Sequence, residues 1–405
     1  MMVVCIIGAG ASGMAAALAA AENPNAEVIL LERQARVGRK LLATGNGRCN
    51  LTNTHAAQRG YHGEDAAFVK QALAAFDPDA VRDWFRQMGL FTVAEDSGRV
   101  YPYSDQANSV VDVLRLALCK PNIQLLTGFE VQKIRREESG FSVSGAEQTI
   151  RCDKLIVACG GLAGTKLGGS MSGYKLLGKM GHKSTRLRPT LVQLKCGWDG
   201  VISLKGVRAN CYVEILRDGE VFSRSRGELQ FTEYGLSGPV IFEVSRDACY
   251  GSGSWSAKLD FLPDYEEADL AAELERRRQT ELPEEELLTG ILHNRLGRVL
   301  TRAAGVKNKK FVKELSDYEL QQVCGAVKGF EIELTEPMGM DHAQVTAGGM
   351  RTEQFDPATM ESRLIPGLYA CGEVLDIDGD CGGYNLQWAW SSGRCAGLSA
   401  GEENT

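Results

Sequence analysis

The first thirty residues alternate between three textures. Val3 to Ile7 is a short apolar run, Ala11 to Glu22 is rich in alanine, and Ala26 to Leu31 is apolar again. Apolar runs too short for a helix, on either side of helix-forming residues, predict strand, helix, strand: a βαβ unit. A Gly-rich connection follows over 37–53, and apolar residues at helical spacing then predict helices around 65–76, 79–88 and 106–118. Strand-like runs near 122–126, 128–134 and 140–144 lead to DKLIVACGG (153–161), a buried strand that ends in a glycine pair.

From about Pro189 to Phe261 the pattern changes to alternating strands, exemplified by CYVEILRDGEVFSRSRGELQFTEYG (211–235), in which Asp218-Gly219 is a hairpin signal. VISLKGV (201–207) reads as a further apolar strand. Residues 263 to about 330 are charged and helical, with ADLAAELERRRQTEL (268–282) the clearest amphipathic stretch. The strand and glycine texture of the start returns in VTAGGM (345–350) and IPGLYACGEVLDIDGDCGGYNLQWAWSSGRCAG (365–397). The expected fold is therefore α/β, with a discontinuous Rossmann-like domain over 1–189 and 341–405. Between them lies an inserted domain over 190–340, β-rich at 190–262 and helical at 263–330.

Charge narrows the partners. A formal net charge of -7 argues against nucleic acid and anionic membrane surfaces. The opening MMVVCIIGAGASG has no basic n-region and an apolar run too short to span a bilayer, so membrane insertion is not expected. The 12 cysteines form no C-x-x-C pair, which suits reduced thiols in the cytoplasm. The 5 histidines lack metal-ligand spacing, and no metal site is expected. Nothing in the sequence speaks to oligomeric state.

Gly8, Gly10 and Gly13 follow a strand and open a helix, the context that a dinucleotide fingerprint requires. Free amides and the positive end of the helix dipole would then hold a diphosphate. Glu32, at the end of the second strand, stands where a carboxylate accepts from ribose hydroxyls. A long Gly/Asn/Arg loop replaces the further βαβ units of an NAD domain, and the distant strands LIVACGG and GLYACGE both end in Ala-Cys-Gly. FAD, longer than NAD and in need of several chain segments, fits this layout better. The helix that opens at Gly382-Gly383-Tyr384-Asn385 would aim its N-terminus at the pyrimidine end of the flavin.

Beyond these local readings, the blocks GRKLLATGNGRCNLTN (38–53), GRVYPYSDQANSVVDVL (98–114), GELQFTEYGLSGP (227–239), VTAGGM and GLYACGEVLDIDGDCGGYNLQWAWSSGRCAG (367–397) resemble the signatures of the BaiN-like, YhiN-type flavoproteins. The resemblance covers nearly the whole chain. It implies FAD, the glutathione-reductase-like superfamily, and an insertion made of a β-barrel-like part and a small helical part; with no His or Cys motif for covalent attachment in the sequence, the FAD is expected to be noncovalent. It also implies FAD contacts at Gly8, Gly10, Ser12, Gly13, Glu32, Arg33, Lys40, Thr44, Gly45, Arg48, Cys49 and Asn50. Val131 is implied on the adenine side, with Ala158, Gly160 and Gly161 in the middle segments. Gly372, Glu373, Asp376, Gly383, Tyr384, Asn385 and Gln387 are implied on the flavin side. The sequence departs from the family pattern at Cys159, Cys371 and Cys381.

The activity implied is FAD-dependent reduction of a conjugated carbon–carbon double bond in a hydrophobic enone, of the 3-oxo-Δ4 steroid or bile-acid type. No second βαβ unit is visible for a nicotinamide, so NADH or NADPH would dock transiently as electron donor. Two alternatives are oxidation of a small amine such as aminoacetone and flavin-dependent modification of tRNA. Proton-donor candidates are Tyr384, Arg48, Tyr234 and His342, all in family-like blocks. The apolar strands VISLKGV and CYVEILRDG are expected to wall a substrate pocket.

Overall fold

The computed structural model describes residues 1–402, which divide into two compact units, Met1–Pro189 with the chain from Gln344 onward, and Thr190–Ala343. The first unit is built on a five-stranded parallel sheet. Its strand order is Leu368–Ala370, Lys154–Val157, Met2–Ile7, Ala26–Glu32, Ile123–Thr127. Nearly continuous burial along the four strands other than the edge strand Ile123–Thr127 is what a parallel sheet covered on both faces demands. Ile7 stands opposite Leu31 on one side and Val157 on the other, and Val157 opposite Ala370. The two Ala-Cys-Gly strand ends therefore emerge side by side, next to Gly8.

Ala11–Ala20 is buried along almost its whole length, which explains its alanines: a helix covered on all sides has no polar face. Tyr384–Gly401 packs along it, and a Cβ at Gly393 or Gly397 would overlap the carbonyl oxygens of Ser12 and Ala16. Trp388 and Trp390, at 1% and 0% exposure, belong to the core; their indole N–H groups donate to Gly372 O and Leu51 O. The helices expected near 79–88 and 106–118 occur as Pro78–Gln87 and Ala107–Ala117.

The second unit contains a closed six-stranded barrel in the order Leu194–Cys196, Gly235–Ser237, Glu220–Phe231, Arg208–Arg217, Trp255–Asp260, Phe330–Pro337. The long hairpin turns at Asp218 and Gly219, both at positive φ (53° and 83°), as its Asp-Gly signal required. Glu267–Arg278, Asn294–Ala303 and Asp317–Gly329 form the helical part, inserted ahead of the strand that closes the barrel.

Two expectations need correction. VISLKGV is not a strand: Gly200–Ser203 is one helical turn that buries Val201 and leaves Ile202 exposed. CYVEILRDG is a strand, but Cys211, Val213 and Ile215 are fully buried and meet Leu229, Phe231, Leu259 and Ile332 within one core. These residues fill the barrel and cannot wall a pocket, since a closed barrel of six strands has room only for its own side chains. Among the described residues no helix is long and apolar enough to cross a membrane.

Candidate functional site

The carboxyl edge of the parallel sheet gathers most of the residues singled out from sequence. Gly8 has φ +107°, and a Cβ there would stand 2.5 Å from Ala158 O; Gly13 lies so close to Gly8 that a Cβ would overlap its carbonyl. Only glycine permits this contact of turn, helix and neighbouring strand. Gly10 caps the helix Ala11–Ala20 without a side-chain hydrogen bond, and a Cβ there would meet nothing within 4 Å. Gly160, at φ +68°, likewise faces open space. Free amides at a helix N-terminus, beside space that no side chain fills, make an arrangement that suits an anionic group.

Glu32 supports that turn from below. Its Oε2 accepts from Ala9 N at 2.9 Å and its Oε1 from Gln34 N at 2.8 Å. Two of about four acceptor positions of a carboxylate are thus used, leaving capacity for a ribose diol. Arg33 donates to Gly168 O at 2.5 Å, and Val131 is buried in the core. Ser12 is buried beside Gly372, where a Cβ would approach its Oγ to 2.5 Å.

Glu373 is the hub of the next layer. Lys40 Nζ reaches its Oε2 at 2.7 Å, Thr346 N donates to its Oε1 at 2.9 Å, and a Cβ on Gly161 would collide with it. The hydroxyl of Thr346 accepts from the amides of Leu162 and Ala163, both at 2.9 Å, and so shapes the turn after Gly161. Thr346 was missed from sequence although it sits in the quoted block VTAGGM; its tie to residue 162 is a long-range contact that spacing cannot disclose.

Gly45, Asn46, Gly47 and Cys49 all have positive φ in the loop after Lys40, and Thr44 binds Leu41 O through its hydroxyl at 2.7 Å. Cys49 is fully buried, and that burial pushes its thiol up to about 12. Burial does the same, to about 12, for Cys159 and Cys371 at the two strand ends. None of the three supplies a thiolate near neutral pH. Asn50 leads on toward the final helix, and its Oδ1 is buried without a donor among the described residues. A Cβ at Gly383 would lie 3.0 Å from that oxygen. An orphaned acceptor beside a helix N-terminus suits a ring that carries its own N–H, as a flavin does at N3.

Three candidate residues are committed elsewhere. Gln387 is 0% exposed, accepts from Thr52 Oγ1 at 2.5 Å and donates to Phe76 O and Ser391 Oγ, so its side chain belongs to the core. Asn385 ties the preceding loop together through Gly379 N, Gly379 O and Asp380 O. Asp376 is 3% exposed and accepts from Glu64 N; burial raises its carboxyl above the ordinary range.

The four proton-donor candidates are divided between the two units. Arg48 ion-pairs with Glu95 at 3.0 Å and with Asp105, and its guanidinium lies 3.8 Å over the Tyr101 ring. The hydrogen bond to Asp105 foremost, then that to Glu95, raises its pKa further, against a burial effect that lowers it. Tyr384 is 8% exposed and packs edge-on against Tyr61, with centroids 5.9 Å apart. Tyr234 and His342 belong to the second unit and contact each other at 6.3 Å.

Sequence reasoning also passed over His62. Its Nε2 pairs with Asp380 Oδ1 at 2.7 Å, across two short antiparallel strands in which His62 stands opposite Asp378. The partners are 318 positions apart, so no local signal could have joined them.

Comparison with known proteins accords with this geometry. Residues 2–399 match the HI0933-like protein Rossmann domain. A 3-dehydro-bile acid delta(4,6)-reductase of Clostridium scindens is 39% identical over 98% of both chains. A ribosomal RNA dihydrouridine synthase of Escherichia coli is 32% identical over 96% of this chain and 95% of its own. The structure of 3-ketosteroid delta1-dehydrogenase from Sterolibacterium denitrificans shares the fold, with TM-score 0.51 over 99% of this chain and all of that one, at 13% identity. The chain belongs to the HI0933-like Rossmann family, and it is an FAD-dependent oxidoreductase.

Proposed function

We propose that this enzyme reduces a carbon–carbon double bond conjugated to a carbonyl in a hydrophobic 3-oxo-Δ4 steroid or bile acid, with NADH or NADPH as transient electron donor. The observation that carries the reading is the end-to-end similarity to the Clostridium scindens reductase, at 39% identity with matched length. The Escherichia coli relative points to the same bond chemistry. Uridine becomes dihydrouridine by reduction of an alkene conjugated to a carbonyl, the bond type that the proposed reaction reduces. A formal net charge of -7 favours a small molecule over a polyanion.

In this reading the turn at Gly8, Gly10, Ser12 and Gly13 holds the diphosphate of FAD, and Glu32, Arg33 and Val131 lie along its adenosine. Ala158, Gly160 and Gly161 keep the strand end clear. Lys40, Thr44, Gly45, Arg48, Cys49 and Asn50 border the flavin half together with Gly372, Glu373, Gly383 and Tyr384, while Asp376 and Asn385 brace the chain that leads into the final helix. Bound FAD supplies hydride transfer. The amides that open the helix Tyr384–Gly401 favour negative charge on the pyrimidine side. Arg48, neutralised by two carboxylates, orders the loop and does not serve as a lone cation for substrate.

An anaerobic experiment tests the proposal. The flavin is reduced with NADH or NADPH and a 3-oxo-Δ4 steroid or ribosomal RNA is added to separate samples, aminoacetone is added to the oxidised enzyme, and flavin absorbance is followed in each. Reoxidation by the steroid is expected. Reoxidation by RNA alone moves the reading to uridine, and bleaching of the oxidised enzyme by the amine overturns it in favour of an oxidase.

A further inference from the structure

Reduction of a conjugated alkene needs an acid at the α-carbon, and the candidates drawn from sequence do not provide one at the helix N-terminus. Tyr384 is buried against Tyr61. Burial drives the phenol of Tyr61 upward in pKa, away from proton donation near neutrality. A guanidinium such as Arg48 is too weak an acid and is held by two carboxylates.

The short strand that carries His62 lies directly against the opening of the final helix. Asp380 N donates to Gly60 O at 2.8 Å, and a Cβ on Gly60 would stand 2.5 Å from the Tyr384 ring. Asn385, in the first turn of the helix, clamps Gly379 in the opposing strand. The same construction therefore fixes the helix N-terminus and the His62–Asp380 pair. The two side chains remain 38% and 47% exposed, so a substrate can reach them. With Nε2 engaged by Asp380, Nδ1 makes no hydrogen bond among the described residues. Across the strand pair stand Asp380, bound to the imidazole, and Asp378, in register with His62; Glu64, two positions along the chain from His62, is itself paired with Arg351 at 3.1 Å.

We propose that His62, oriented by Asp380, is the acid that delivers the proton to the α-carbon of the substrate; this rests on the reaction read above. Bound FAD would supply the hydride for the β-carbon, which would leave the electron pair of the alkene on the substrate as an enolate. His62 Nδ1–H then gives its proton to the α-carbon, the second C–H bond forms, and the neutral imidazole takes a proton back from water. Asp380 stays ionised throughout, holding the ring and compensating its charge, as a carboxylate does for a catalytic histidine elsewhere.

The experiment separates the two half-reactions of the FAD-loaded enzyme. In His62→Gln and His62→Ala, reoxidation of the reduced flavin by a 3-oxo-Δ4 steroid is expected to slow about 100-fold or more, the usual weight of a general acid. Added imidazole is expected to restore part of the rate in His62→Ala, a rescue that a packing defect would not show. Asp380→Asn should slow the same step less, about tenfold, and alter its solvent isotope effect, which gives a second route should the histidine variants lose FAD. Reoxidation within threefold of wild type in loaded His62→Gln, with an unchanged solvent isotope effect, overturns the proposal alone. Failure of the wild-type flavin to be reoxidised by any enone overturns it together with the reaction on which it rests.

Discussion

At the carboxyl edge of the parallel sheet the side chains dwindle, from Val157 and Ala370 to Gly160 and Gly372, and at Gly10 and Gly160 the space beyond is empty of protein. Inside the barrel the reverse holds. Val213, Ile215, Leu229, Leu236, Leu259 and Ile332 are buried to within 1% and leave only each other for company. The first region carries the non-glycine residues Asn46 and Cys49 at positive φ and an orphaned acceptor at Asn50, costs that a bound ligand can offset. The barrel is complete as it stands. On the proposed reading, binding belongs to the sheet edge and the loops around it, while the apolar side chains inside the barrel pack against one another.

The largest expected effect comes from the glycine whose neighbours leave no room at all. Gly13→Ala would force the helix away from the Gly8 turn, so the variant is expected to lose FAD entirely and to unfold at least 10 °C lower, a destabilisation of about 3 kcal/mol or more. Gly10→Ala, where a Cβ meets nothing, should leave the melting temperature of the apo protein unchanged and weaken FAD by about 100-fold, or about 2.7 kcal/mol, by intruding on the diphosphate. Thermal melts with and without FAD, together with flavin titration, measure both. Equal behaviour of the two variants would erase the distinction between a glycine needed by the fold and one needed by the ligand.

Phe231 puts the other side of the contrast at risk. It is 1% exposed in the barrel core, and Phe231→Ala is expected to cost about 3–5 kcal/mol of stability. FAD affinity and KM for the enone should stay within twofold in the protein that remains folded, since the side chain is buried among the other core residues of its unit. A changed substrate range in Phe231→Ala would show that the barrel interior receives substrate after all.

What could be read from the sequence followed the reach of its signals. The fingerprint is local: three glycines and an acid within 25 residues carry both the turn and its support, and the structure joins Glu32 to Ala9 as that layout requires. The twin Ala-Cys-Gly ends worked because a repeated motif reports a shared environment, and their strands are neighbours in the sheet. VISLKGV misled because a short apolar run does not distinguish a strand from one buried helical turn. The barrel-closing strand FEIELTEP escaped although its alternation was present, with Ile332 and Leu334 buried and Glu331 and Glu333 exposed. It follows the helix Asp317–Gly329 without a break, and the charged residues blended into the helical texture. Gln387 shows the opposite failure: it stands in a flavin-side block, yet Thr52, Phe76 and Ser391 absorb its polar atoms.

The smallest expected effect concerns Cys49, the thiol in the loop nearest the proposed flavin site. A disulfide-reductase type of relay would need a thiolate there, whereas burial holds this thiol at about 12. At pH 8 the ionised fraction is then only about one in ten thousand, against roughly a quarter for an ordinary cysteine. Substitution by alanine removes one small buried atom from a position already at φ +61°, so no new backbone strain arises. The expected cost is about 1 kcal/mol in stability. Both flavin half-reactions should run within twofold of wild type, and native protein at pH 8 should lose no activity to iodoacetamide through this residue. Alkylation of Cys49 in the folded enzyme, or a flavin that NADH can no longer reduce in Cys49→Ala, would show that the sheet edge holds a reactive thiol, and the reading of this loop as a passive border of the cofactor would fall.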